Sequence, residues 1–239
     1  MKKSLLILAV AACSCSLYAQ EGSSAQEVLS FFTKYNPSVL QKAQQDESYR
    51  EILEEVVYNT QLDSSLETRL EMIALVRNFD NSIKLSNATQ GYEDAFLLAV
   101  TNNSATEAIS QKYRQELTEA YAGIWAVSVN IQEELLSQYK HILKDISKNT
   151  DLTAQQRAEQ QAVVKGKIQN TEKYLKQLKN NSGEYIASSV EAVMASSESN
   201  VYMKLAAVAE VKRQMQAASE ALESANLQIK NNNKKPVAK

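Results

Sequence analysis

The sequence predicts an all-α protein: an elongated antiparallel bundle of about seven helices, the later ones long and coiled-coil-like. Three observations carry that prediction. Only 2 prolines and 5 glycines occur in 239 residues, about 3% where ordinary usage gives roughly 12%. Pro37 and Pro236 bracket 198 residues without a proline, whereas sandwiches and barrels need Gly, Pro and Asn-Gly at frequent turns. Apolar residues recur at spacings of three and four along almost the whole body, the period of a helix with one buried face. With 44% hydrophobic and 23% charged residues, the chain can bury a core, which excludes wholesale disorder.

The first residues read as an export signal. Lys2 and Lys3 precede the apolar run Leu5 to Ala12, the order of a secretory signal peptide and too short for a permanent span of a bilayer about 30 Å thick. Two processing readings stand side by side. In one, residues 1–19 are removed after Ala19; in the other, Val10-Ala11-Ala12-Cys13 resembles a bacterial lipobox, residues 1–12 are removed and Cys13 is the lipidated anchor. Cys13 and Cys15 are the only cysteines, so no disulfide is expected in the folded body. Without Lys2 and Lys3 the net charge falls from -2 to about -4, which excludes the basic footprint of a nucleic-acid binder.

Residues 20–103 read as a part built from short helices. The first covers about 25–35 with Val28, Leu29, Phe31 and Phe32. Asn36 is the expected cap of the second, with Pro37 at its first position, where a missing N–H costs nothing; it runs to about Asn59. Asp63 is the expected cap of a third, whose inward face is Leu66, Leu70, Ile73, Val76, Phe79 and Ile83. By composition Ser86 to Gly91 is a loop, followed by a short apolar helix from Tyr92 to about Val100.

Residues 104–230 read as a bundle of longer helices packed with that part. Ser104 and Glu107 have the spacing of a capping box and open a helix to about Lys148, with Leu117, Tyr121, Ile124, Ile131, Leu135 and Ile142 on one stripe. Thr153 and Gln156 form a second such box, and the helix they open stops near Gly183. The last helix runs to about Lys230, with a bend expected near Ser196 to Ser199. Along it Val201, Val208, Met215, Leu222 and Ile229 recur every seven residues, with Val211, Ala218 and Ala225 three further on. This is a heptad seam for helix–helix interaction, interrupted by Lys204 at its start. Residues 231–239 read as a disordered basic tail. Gly123 and Gly166, the two glycines inside helices, are the expected points of close helix contact.

Residue types that announce catalysis are scarce. His141 is the only histidine and has too few partners at helical spacing for a metal site; it is read as a surface residue. Ser137 and Lys140 match a bare Ser-x-x-Lys, without the companion motifs that give it meaning. Glu54-Glu55 and Glu133-Glu134 diverge by about 100° on a helix and cannot face one substrate. No phosphate-cradling glycine loop or nucleophile elbow occurs. The expectation is therefore a non-enzymatic protein without cofactor or metal, exported to the periplasm or beyond, or lipid-anchored in a bacterial-type cell envelope. It would act by protein–protein contact or self-association in a structural, chaperone-like or adaptor role, touching membrane only through the anchor. A helical small-molecule sensor module is the alternative, and a helical membrane-active toxin a more distant one.

Overall fold

The computed structural model describes residues 25–59 and 65–232, with side chains over 26–59 and 65–227. Among the described residues there are seven helices and no strand: α1 (Ala25–Tyr35), α2 (Pro37–Gln45), α3 (Glu47–Asn59), α4 (Leu66–Thr101), α5 (Glu107–Lys148), α6 (Ala154–Asn180) and α7 (Ser182–Asn232). The expected signal peptide, Cys13, the cap at Asp63 and residues 233–239 of the expected tail lie outside the described residues.

The first three helices are short because each ends where its apolar stripe stops. Asn36 separates α1 from α2 but does not cap α2 through its side chain. Its amide instead donates to Val76 O at 3.1 Å and to Asp80 Oδ2 at 3.0 Å, tying the corner to α4. The single helix expected from Pro37 to Asn59 is two, broken at Asp46, which is extended. The Asp46 carboxylate accepts from Ser48 N at 2.9 Å, so the side chain competes with the backbone for helix bonds.

α4 is 36 residues long and is capped by Ser65, whose hydroxyl accepts from Thr68 N at 3.1 Å. It is one helix where the sequence suggests two: the expected loop Ser86–Gly91 is helical. Packing overrides composition here. Leu85, Ala88 and Tyr92 are buried on one face, and a Cβ on Gly91 would lie 2.9 Å from the Tyr113 ring of α5, so the glycine admits a neighbour rather than turning the chain.

α5 runs antiparallel to α4 along its whole length, as the pairs Tyr92–Ser110, Arg77–Glu134 and Glu67–Tyr139 show. The expected capping box at its start is absent. Thr106 is the N-cap, without a side-chain bond, because Asn103 takes a left-handed φ of 51° and the chain turns there. α6 lies antiparallel to α5, with Lys140–Glu172 at 3.0 Å and Lys179–Glu133 at 2.6 Å. The box at Thr153 is present in both halves.

α6 gives way to α7 at Asn181, and Gly183 lies in the first turn of α7 rather than ending α6. A helix-like bond from Tyr185 N to Asn181 O, at 3.0 Å, spans the junction. α7 therefore continues in the direction of α6 and takes over its place along α5, where Trp125 stacks on Tyr185 with ring centroids 4.5 Å apart and donates to Leu178 O at 3.1 Å. α7 is continuous through Ser196–Ser199, where a bend was expected, and extends two residues into the expected tail.

Two hydrophobic cores result. One joins α1–α3 to the first half of α4, with Phe32 and Phe79 edge-to-face at 5.3 Å and Ile131 of α5 closing it. The other joins the second half of α4 to the first halves of α5 and α7, around Tyr92, Leu117, Val190 and Val201. The expected α4 face Leu70, Ile73, Val76, Phe79 and Ile83 is buried. Of the expected α5 stripe, Leu117, Tyr121 and Ile131 are buried, and Ile142 is exposed beyond the cores. Gly123 is a point of close contact, since a Cβ there would lie 2.6 Å from Asn81 Oδ1 of α4. Gly166 is not: nothing lies within 4 Å of its position, which faces open space.

Candidate functional site

The heptad seam of α7 divides into a root and an arm. At the root, Val201 is fully buried in the second core. Around it α4 and α7 are fastened at three places. The Tyr92 hydroxyl donates to Glu198 Oε1 at 2.5 Å and lies 3.2 Å from Ser110 Oγ; burial first, and the glutamate second, push its pKa up to about 12. Glu93 accepts from Asn200 Nδ2 at 3.0 Å and from Lys204 Nζ at 2.9 Å, and these two donors, Asn200 first, hold its carboxyl below the usual range. Phe96 meets Tyr202 edge-on at 5.9 Å. Lys204, which interrupts the seam in sequence, is thus a strut to α4 at the rim of the core.

Both Tyr92–Glu198 and Phe96–Tyr202 join α4 to α7 at an offset of 106 residues. At that offset the last residue of α4, Thr101, is level with Ala207. The α4–α5 hairpin stops there and α7 does not. Every described side chain from Ala206 to Leu227 is exposed, over a helix segment that reaches about 40 Å to Asn232 at the α-helical rise.

The sequence-predicted seam residues separate accordingly. Val201 is at 0% exposure, Val208 at 52%, Met215 at 68% and Leu222 at 66%; the Ile229 side chain lies outside the described residues. Val211 is also exposed. The structure therefore brings Val201 into the core of its own chain and leaves Val208, Met215 and Leu222 in a row on a bare face. An apolar row of that length on an otherwise polar helix is the pattern of an interaction site. Tyr202, Met203 and Leu98, also exposed, extend apolar surface around the root; nothing in the heptad spacing points to them.

Other candidates resolve into ordinary roles. His141 is exposed on α5. Lys140, of the Ser-x-x-Lys match, pairs with Glu172. Glu133 and Glu134 turn to different neighbours, Lys179 and Arg77. Among the described residues no cluster of His, Cys, Asp and Glu could hold a metal ion, and no helix is long and apolar enough to cross a membrane. Between α4 and α5 lies an open groove of about 360 Å³ beside Tyr113, with Lys84, Glu116 and Glu119 on its walls. Its charged walls and open side leave little to enclose a ligand.

Two further side-chain clusters fasten helices. Glu67, at the start of α4, accepts from Lys167 of α6 at 2.6 Å and from Tyr139 of α5 at 2.7 Å; these bonds lower its pKa to about 2. Asp80 gathers Lys42, Asn36 and Tyr49. Burial there opposes ionisation, and the bonds from Lys42 and Asn36 outweigh it to keep the carboxyl below its ordinary value. Both clusters join helices that the fold already packs and offer no free reactive group. In comparisons with known proteins, no protein family, no curated protein and no solved structure matches this chain.

Proposed function

We propose that this protein is an exported, non-enzymatic interaction protein of a bacterial-type cell envelope that works by protein–protein contact through the bare half of α7. The observation that carries the reading is the exposed row Val208, Met215 and Leu222 on a helix that the same chain anchors at Val201 and Lys204. A helix this long gains little from exposing three large apolar side chains in register, whereas a partner covering them gains their burial, on the order of 1 kcal/mol or more for each. The lysine pair and apolar run at residues 2–12 support export, with Cys13 or the bond after Ala19 as the processing point.

Photo-crosslinking in the native cell tests it. A photoreactive residue at Met215 or Leu222 is expected to give protein adducts, of this chain or another, that a probe at exposed His141 does not give. Adducts to lipid alone, or none, would remove the reading. Intact mass of the recovered protein decides between a chain beginning at Gln20 and one beginning at acylated Cys13.

A further inference from the structure

The seam of the arm has two unequal edges. Val208, Met215 and Leu222 lie along one, and Val211, Ala218 and Ala225 along the other. In a parallel pair of such helices each edge faces its own copy, so Met215 would oppose Met215 and Ala218 would oppose Ala218. Layers then alternate between crowded and empty, which close packing disfavours. In an antiparallel pair the large-residue edge faces the small-residue edge, and the layers are evenly filled.

The two ends of the arm set the register. The α4–α5 turn is level with Ala207 and blocks the seam below it, and α7 is described as far as Asn232. A partner helix laid antiparallel along the arm therefore has its own Asn232 level with Val208. That register sets Met215 opposite Ala225 of the partner subunit and Ala218 opposite Leu222 of the partner subunit, with a twofold axis at the level of Glu220.

Charge permits the same arrangement. The residues flanking the seam are Lys212, Gln214, Ser219, Ala221 and Asn226, with one charge among them. In this register Lys212 lies beside Asn226 of the partner subunit, and Ser219 beside its own copy, so no like charges meet. Glu210 and Arg213 pair with each other at 3.0 Å on the same helix, away from the contact. We infer that the bare half of α7 pairs antiparallel with the same segment of a second copy, giving an end-to-end dimer with the two bodies at opposite ends. The inference rests on the arm being an interaction surface and names the chain itself as the partner. The contact is at the small end of stable interfaces, so the dimer is reversible.

The test is sedimentation of the full chain carrying Cys13→Ser and Cys15→Ser, from low to high micromolar concentration. A monomer–dimer equilibrium is expected, and Met215→Glu or Leu222→Glu should weaken it by about tenfold or more while leaving the thermal unfolding of the dilute monomer unchanged. Orientation is read from disulfides. A mixture of Met215→Cys and Ala225→Cys proteins should cross-link, and Met215→Cys alone should not, because its two copies lie about 15 Å apart along the axis. Cross-linking of Met215→Cys alone would overturn the antiparallel register. A chain monomeric at every concentration would overturn self-pairing and leave the arm to another protein, with the photo-crosslinks intact. A monomer that instead floats with anionic phosphatidylglycerol vesicles, and loses them on Met215→Glu, would overturn both.

Discussion

The root and the arm of α7 carry the same seven-residue spacing and have opposite fates. Val201 and Val208 are successive members of one series; the first is fully buried and the second half exposed. Nothing in their residue type separates them. What separates them is the reach of the α4–α5 hairpin, which ends level with Ala207. Hydrophobic period fixes which face of a helix is apolar, and the length of the neighbours fixes whether that face is covered.

The largest test of this comparison is a matched pair of substitutions. Val201→Asp buries a carboxylate without a partner and should lower unfolding free energy by more than about 3 kcal/mol. Val208→Asp, measured by denaturant titration at a concentration that keeps the chain monomeric, should change it by no more than about 0.5 kcal/mol. Equal losses at the two positions would mean the arm is folded back onto the body in solution.

A smaller contrast sets one glycine against another. Gly123→Ala forces the Asn81 side chain to move and should cost about 1 kcal/mol, recovered when Asn81→Ala is added. Gly166→Ala meets open space and should stabilise by up to about 1 kcal/mol through helix propensity alone. Urea midpoints of the four variants would show it, and a stabilising Gly123→Ala would contradict the close approach of α4 and α5.

The smallest effect is electrostatic. Glu67 titrates at about 2 in the folded chain against an ordinary 4.5, through its bonds from Lys167 and Tyr139. Its contribution is complete above pH 4.5 and is lost as pH falls toward 2. The carboxylate is 41% exposed, so solvent screening keeps the step below about 1 kcal/mol. Glu67→Gln should flatten stability across that window, and an unchanged slope in pH-dependent denaturation would assign the acid sensitivity elsewhere.

The all-α class was legible because it depends on composition and period, which local sequence carries in full. Caps were legible only in part. Thr153 and Gln156 form their box because both ends of the motif lie on one exposed turn, whereas Ser104 has the same spacing but sits in the turn that Asn103 closes. Ser86 to Gly91 has the composition of a loop and is helical, because Tyr113 packs against Gly91 and the core holds Leu85, Ala88 and Tyr92. Gly183 has the residue type of a helix stop, yet the break falls at Asn181, and α7 then replaces α6 along α5. Of the candidate site, the row of residues was legible and its exposure was not. The strut from Lys204 to Glu93, which looked like a flaw in the seam, depends on a contact 111 residues away.

The α4–α5 turn also serves as a gauge. Each heptad inserted into both α4 and α5 beside that turn would advance the hairpin by about 10 Å and roof over one more heptad of α7. Trimming them would lay Val201 bare. Five residues of connection, 102–106, thereby apportion a single 51-residue helix between the chain's own interior and its surroundings.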